Sequence, residues 1–167
     1  NGKIKLWNIE GRKSETVQAY NSVFSPDGQI MAAISNKDGK TVQIFKIDGS
    51  AINNLRNHQD VDIITALNIS PDGKTLVYAN INGTIIKRNL QDGRLLATLK
   101  NSSQVISLTF SPDSKLLVSN SNDHTIKIWD NQNYSQSTKS KNKNTNTKTP
   151  LKIIKGHNGE LGEVAFS

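Results

Sequence analysis

Apolar and polar residues alternate in short stretches along most of the chain. Val23-Phe24, Leu67-Asn68-Ile69 and Leu108-Thr109-Phe110 each close such a stretch, and each is followed at once by a turn-forming cluster. The stretches are rich in Val, Ile, Thr and Leu and run for about 5–7 residues, the pattern of β-strands. Gly, Asp, Asn and Pro separate them. Asp48-Gly49 and Asp92-Gly93 read as turns, and Asn82-Gly83 as a hairpin. No segment carries an apolar stripe with the 3.6-residue period of a helix. The pattern predicts an all-β fold.

The strands come in repeating groups. Ser25-Pro26-Asp27-Gly28 recurs as Ser70-Pro71-Asp72-Gly73, 45 residues on, and as Ser111-Pro112-Asp113-Ser114 after 41 more. Pro presets φ for a tight turn there, and Gly tolerates its last position. The end of the chain, Val164-Ala165-Phe166-Ser167, reads as the opening of a fourth copy. A second signature runs in step. Lys5-Leu6-Trp7-Asn8 matches Lys127-Ile128-Trp129-Asp130, with Gln43-Ile44-Phe45-Lys46 and Ile86-Lys87-Arg88-Asn89 in the same phase. The Trp position is thus filled by Trp7, Phe45, Arg88 and Trp129, at spacings of 38, 43 and 41 residues.

On these residues the chain resembles the WD40 family of β-propellers. The resemblance rests on the Ser-Pro-Asp-Gly turns, on Lys-Ile-Trp-Asp and its variants, and on Gly156-His157. Its period of about 40–45 residues fits units of four strands per blade. The resemblance implies an incomplete WD40-type propeller of four-stranded antiparallel blades. Residues 1–19 would be the last two strands of one blade. Residues 20–56, 60–99 and 104–155 would be three full blades, and 161–167 the first strand of the next. Because about four to eight blades close a ring, the chain is expected to be a fragment of a longer propeller, with open edges that make it prone to associate. In this family a His commonly bonds an Asp of the turn between the second and third strands, in a network that ends on the third-strand Trp. His58, Asp123, Trp129, Asp130, Gly156 and His157 take signature positions, with Trp7 and Phe45. No blade has the full set: Asn101-Ser102 stands where the blade of Asp123 and Trp129 would have its His, and the blade of His58 has Asn82 and Arg88. Looser ties within blades are therefore expected.

Composition adds two restrictions. The 167 residues carry a net charge of +7 and no Cys, which excludes disulfides, thiolate catalysis and Cys-bound zinc or iron–sulfur centres. No apolar run reaches the length of about 20 residues that a membrane helix needs. Together these features suggest a cytoplasmic chain with no membrane partner. The charge is also uneven. Asn131–Thr149 holds Lys139, Lys141, Lys143 and Lys148 and no Asp or Glu, and is otherwise nearly all Asn, Ser, Thr and Gln. Such a segment buries too little surface to offset its ordering entropy. It is read as a disordered loop, residues 131–149, inserted between the third and fourth strands of its blade. Shortening it is expected to leave the fold intact.

Nothing in the sequence gathers catalytic chemistry. His58, His124 and His157 fall in turns of three different blades, without metal-ligand spacing. Asp27, Asp72 and Asp113 recur in equivalent turns, as turn stabilisers do and a unique catalytic pair does not. No glycine-rich segment opens a helix, so no phosphate cradle is present. No enzymatic activity, cofactor or metal is expected. The resemblance implies a protein–protein interaction scaffold that binds proteins or peptides on one rim of the blades. The rim positions map to Tyr20, Thr65, Ile106 and Gly162, and to Lys37, Ile81 and Asn122 before the turn Asp. Partners would be proteins or peptides, together with further blades of the same full-length chain; with one Tyr among scattered Lys, the loop is a poor platform for nucleic acid. The alternative is a sensor propeller attached to a signalling or hydrolytic enzyme whose catalytic domain lies elsewhere.

Overall fold

The computed structural model describes residues 2–7, 14–48, 51–60, 62–132, 147–155 and 166. These form strands and turns, with no helix among the described residues. The chain divides into two compact units, Asn1–Ile64 and Thr65–Ser167.

The first unit contains β1 (Ile4–Trp7), β2 (Ser14–Val17), β3 (Ala19–Phe24), β4 (Ile30–Ser35), β5 (Thr41–Asp48) and β6 (Ala51–Gln59). β1 and β2 form an antiparallel pair, and β3-β4-β5-β6 a four-stranded sheet in chain order. β4 reads Ile-Met-Ala-Ala-Ile-Ser and is buried along nearly its whole length, as befits a strand covered on both faces. Met31, Ala33 and Phe45 pack with Val17 and Ala19, and Ile4, Leu6 and Ile47 close over them.

At the boundary of the units begins β7 (Ile64–Ile69), followed by β8 (Thr75–Asn80), β9 (Thr84–Asn89) and β10 (Leu95–Lys100). Next come β11 (Val105–Phe110), β12 (Leu116–Ser121), β13 (Ile126–Asp130), β14 (Thr147–Lys148) and β15 (Lys152–Ile154). β7 to β10 are antiparallel neighbours in chain order, and β11-β12-β13-β15 form the next sheet. One core joins them within the second unit: Val77, Ile85 and Leu99 on one side, Leu108, Phe110, Leu117 and Trp129 on the other. Burying side chains of this size stabilises by about 1.5–3 kcal/mol each.

The three Ser-Pro-Asp turns are built alike. The Ser25 carbonyl accepts from Gly28 N at 2.8 Å. Ser25 Oγ accepts from Ile30 N at 2.9 Å and donates to Asp27 Oδ1 at 2.5 Å, and Asp27 Oδ1 accepts from Gln29 N. Ser70 with Asp72, and Ser111 with Asp113, repeat the pattern. The last turn position has φ 69° at Gly28 and Gly73, and φ 59° at Ser114. Ser114 is the non-glycine exception, and its Oγ accepts from Asp72 N at 3.0 Å.

The insertion differs from its sequence reading at both ends. Asn131, its expected first residue, is buried and accepts a hydrogen bond from the Lys87 ammonium. Thr147 and Lys148, also expected in the loop, form β14 and pair in parallel with β10. Both contacts lie far along the chain, so local composition does not announce them. Residues 133–146 lie outside the described residues.

Gly83 shows how tightly the other end of the strands is closed. Its φ is +73°, and an added Cβ would lie 2.4 Å from the Ser103 carbonyl oxygen and 2.8 Å from that of Asn101. Both obstacles are backbone. Gly83→Ala is therefore expected to destabilise the second unit by about 2 kcal/mol or more, read as a lower denaturation midpoint; a loss below half that value would mean that the Ser103 segment yields.

Candidate functional site

In an antiparallel sheet the starts of odd strands and the ends of even strands share one end. In the second unit that end carries Thr65, Ile81, Ile106 and Asn122, opposite the Ser-Pro-Asp turns. Ile106 is the extra residue of a β-bulge: the β11–β12 register shifts between Val105 and Ser107. A bulge re-aims its side chain, and Ile106 stands 37% exposed. Ile81, in the tight turn after β8, is 42% exposed. Asn122 is exposed, and its N–H donates to the Gln104 carbonyl at 2.9 Å. Thr65 is less available. Its Oγ1 donates to the Val105 carbonyl at 2.7 Å, tying β7 to β11.

Under this rim lies a polar network that replaces the one expected. Asp123 Oδ2 accepts from Ser102 Oγ at 2.6 Å, and Asp123 Oδ1 from Thr125 Oγ1 at 2.6 Å. The Lys127 ammonium donates to Thr125 Oγ1 at 2.8 Å and Ser102 Oγ at 3.0 Å, and lies 3.4 Å from Asp123. Asn101 Nδ2 donates to Ser121 Oγ at 2.5 Å. Ser102 thus supplies Asp123 with a donor where the family would have a His, while Asn101 Oδ1 is buried without a hydrogen-bond partner among the described residues. Trp129 forms its own bond, Nε1 to Ser119 Oγ at 2.9 Å, with both groups buried.

Burial alone would raise the Asp123 carboxyl, but the hydrogen bonds from Ser102 and Thr125 and the Lys127 charge outweigh it and hold it at about 2. A carboxylate depressed in the folded state stabilises the fold fully above its unfolded value of about 3.9. That stability is lost as pH falls toward 2. The second unit should therefore melt progressively earlier between pH 4 and 2, and Asp123→Asn should flatten that slope. An unchanged slope in the variant would assign the acid sensitivity to other carboxylates, such as Asp113, which the Ser111 hydroxyl also holds low.

In the first unit the equivalent end carries Tyr20 and Lys37. Tyr20 is also a bulge residue, since the β3–β4 register shifts between Ala19 and Asn21. Tyr20 is 48% exposed while its hydroxyl donates to the Ile64 carbonyl at 3.0 Å. Lys37 sits exposed in the turn after β4, and the neighbouring Asp38 caps that turn by accepting from Lys40 N and Thr41. Ile63, 47% exposed, belongs to the same end. A Cβ on Gly39 would lie 3.6 Å from Tyr20 Oη and 3.8 Å from Ile63 Cγ2. The run Val61-Asp62-Ile63-Ile64 carried the signal for Ile63, but only one of its isoleucines can be buried in β7.

The signature residues are placed unequally. Phe45 and Trp129 are buried, whereas Trp7 is exposed with the Lys5 ammonium 4.7 Å over its ring. His58 pairs across the β5–β6 ladder with Val42. Asp130 closes β13 and accepts from Gln132 N. Gly156, His157 and Gly162 lie outside the described residues. Among the described residues, no three His, Asp or Glu side chains converge as a metal site would need, and no helix is long and apolar enough to cross a membrane.

Repeating antiparallel sheets of four strands, joined by equivalent turns, are the blades of a β-propeller, here a partial one. Comparison with known families agrees. A profile described as the WD domain, G-beta repeat, matches residues 93–130, from β10 through β13. Another, described as the anaphase-promoting complex subunit 4 WD40 domain, matches residues 23–106, half of the chain. The chain belongs to the WD40-repeat family. It is 32% identical to the COMPASS component SWD3 of Saccharomyces cerevisiae over 111 residues, 66% of this chain and 34% of that protein. It is 29% identical to WD repeat-containing protein SL1-17 of Schistosoma mansoni, over 77% of this chain and 44% of that one. Small ribosomal subunit protein RACK1y of Oryza sativa subsp. japonica is 27% identical, over 64% of this chain and 31% of its own length. The chain thus spans less than half the length of each of these relatives.

Proposed function

We propose that this chain is part of a non-enzymatic interaction scaffold, and that the rim where β7, β9, β11 and β13 begin receives a protein or peptide partner. The observation that carries the reading is the exposure of Ile81 and Ile106 on a rim built of tight turns and a bulge over a bonded polar network. Rigid apolar side chains on such a base lose little entropy on binding, as interface anchors should. Tyr20 and Lys37 supply an aromatic and a cation at the equivalent end of the first unit. Asn122 would contribute polar contacts, and Gly162 completes the set expected from the family. Family membership supports the scaffold reading. So do the names of relatives, which describe a COMPASS component and a ribosomal subunit protein. They lend nothing to the alternative of a propeller serving an attached enzyme. The reading includes no metal, cofactor, membrane or nucleic acid. The cytoplasmic location in this reading rests on composition alone, and one relative is named for a small nucleolar RNA. The test is recovery of partners with the tagged full-length protein. Ile81→Asp with Ile106→Asp should lower partner affinity by about thirtyfold or more, as loss of interface hot spots does, with an unchanged melting curve. Undiminished recovery would sink the assignment of the rim.

A further inference from the structure

Asn82-Gly83 forms the tight turn between β8 and β9, on the rim. Asn82 is exposed, whereas Gly83 is buried with φ +73°. The Gly83 N–H donates to the Asn80 carbonyl at 3.0 Å, and Thr84 N to Asn80 Oδ1 at 3.0 Å. The turn between β12 and β13 is built on the same frame: His124 N donates to the Ser121 carbonyl at 3.0 Å, with φ 58° at His124. Asn82 therefore corresponds to Asp123, and Thr84 to Thr125. In the first unit Asp38 likewise precedes a residue of positive φ, Gly39 at 66°.

The two acidic turns use their carboxylates alike. Asp38 Oδ2 accepts from Thr41 Oγ1 at 2.7 Å, and Asp123 Oδ1 from Thr125 Oγ1 at 2.6 Å. Thr125 Oγ1 also receives the Lys127 ammonium at 2.8 Å. Thr84 Oγ1 receives the Lys100 ammonium at 2.7 Å in the same manner. The Asn82 turn thus holds the hydroxyl and the cation of the acidic pattern, with an amide where the carboxylate would stand.

An Asn-Gly pair can make that exchange itself. The Gly83 nitrogen, its proton lost to solvent base, attacks Asn82 Cγ. The new N–Cγ bond closes a five-membered imide as Cγ–Nδ2 breaks and ammonia leaves. Water then opens the imide. Attack at Cγ gives aspartate with the main chain restored, and attack at the main-chain carbonyl gives isoaspartate. Glycine has no Cβ to hinder the closure. We propose that Asn82 is a self-modification site: it deamidates when its turn opens, and Thr84 and Lys100 hold the aspartate produced as Thr125 and Lys127 hold Asp123. The closed turn delays the reaction, because the attacking nitrogen is hydrogen-bonded in a buried residue, so the rate follows local opening. The turn also favours one product. Isoaspartate adds a main-chain atom next to Gly83, where even an added Cβ would lie 2.4 Å from the Ser103 carbonyl oxygen. The reaction places a negative charge beside Ile81, so the charge of the rim changes with the age of the molecule. The proposal stands on the chemistry of the turn, whether or not the rim receives a partner.

The test is peptide mapping by mass after long incubation of the chain in mildly alkaline buffer, with and without denaturing urea. Position 82 should gain the mass of an NH2-to-OH exchange under both conditions, at least about tenfold more slowly without urea. In the folded chain it should still react faster than Asn68 and Asn89, which precede Ile69 and Leu90. The aspartate share of the product should be higher in the folded chain than in urea. N82D should raise the urea midpoint of the chain, and in a T84V background the same change should give no gain, because the hydroxyl donor is missing. Equal rates with and without urea, a folded rate at Asn82 no faster than at Asn68 and Asn89, or an N82D midpoint at or below that of the unaltered chain overturns the proposal.

Discussion

Asn131→Ala is expected to destabilise the second unit by about 3 kcal/mol, more than most single-residue changes on a sheet margin. Lys87 is the reason. It is fully buried, one residue before the Trp position, where the other repeats carry Leu6, Ile44 and Ile128. Its ammonium donates to Asn131 Oδ1. Asn131 is itself fixed by two bonds at the Ser-Pro-Asp end, one of them to Ser114, which is tied in turn to Asp72. Its Nδ2 donates to the Ser114 carbonyl at 2.6 Å, its N–H to the Lys115 carbonyl at 2.8 Å, and Ser114 Oγ receives Asp72 N. Alanine takes the amide acceptor from a buried charge and leaves the desolvation cost in place. Lys87→Met removes the charge together with its need for an acceptor. That variant should lie within about 1 kcal/mol of the unaltered chain, on either side, as apolar replacements of buried ionic groups often do. The double variant should then recover most of the loss, the non-additivity of a shared contact. Chemical denaturation of the four chains measures the cycle. Additive losses would show that Asn131 matters for its bonds to Ser114 and Lys115 and not for Lys87.

The same contact marks where reading the sequence stops. Two signatures repeating in one phase placed the strands, because turn chemistry and alternation act within a few residues. The Ser-Pro-Asp turns are legible for that reason: the side chains of each Ser and Asp find partners within five residues. Asn131 looked like the first residue of a polar loop because its partners are Lys87 and Ser114, 44 and 17 positions away. Ser102 was read as the absence of a His. Its hydroxyl reaches Asp123 across 21 residues, a substitution of one donor for another that composition cannot reveal. The rim residues were found through a positional rule. The bulges at Tyr20 and Ile106 explain why that rule lands on exposed side chains, while the Thr65 bond to Val105 shows that it can also land on a tie between strands. In the sequence Arg88 takes the Trp position of its repeat. Its guanidinium instead bonds Tyr78 Oη at 3.1 Å and the Gly93 carbonyl at 3.0 Å, holding β8 and the turn before β10 from the position a ring would fill.

Trp129→Ala should cost about 3–5 kcal/mol, whereas Trp7→Ala should cost less than about 1 kcal/mol. The two residues hold one position of one motif, Lys-x-Trp, and the sequence treats them alike. The structure does not: Trp129 is 1% exposed and Trp7 60%. Trp129 lies in a core shared by two sheets, with Val77, Ile85 and Leu99 facing Leu108 and Leu117. Its truncation opens a cavity that rigid strands on both sides cannot close, and it strips Ser119 of its indole donor. Trp7 lies on β1, whose ladder partner is β2, and its described aromatic contact is the Lys5 ammonium, an exposed cation–π pair worth about 0.5–1 kcal/mol. Burial at this position therefore depends on a neighbouring sheet and not on the motif itself. Urea melts of both variants in the 167-residue chain test the contrast. Equal losses would refute it. The same pair made in the full-length protein carries a further reading: a Trp7→Ala loss that rises there to the Trp129 level would show that another sheet covers Trp7, as β7–β10 cover Trp129.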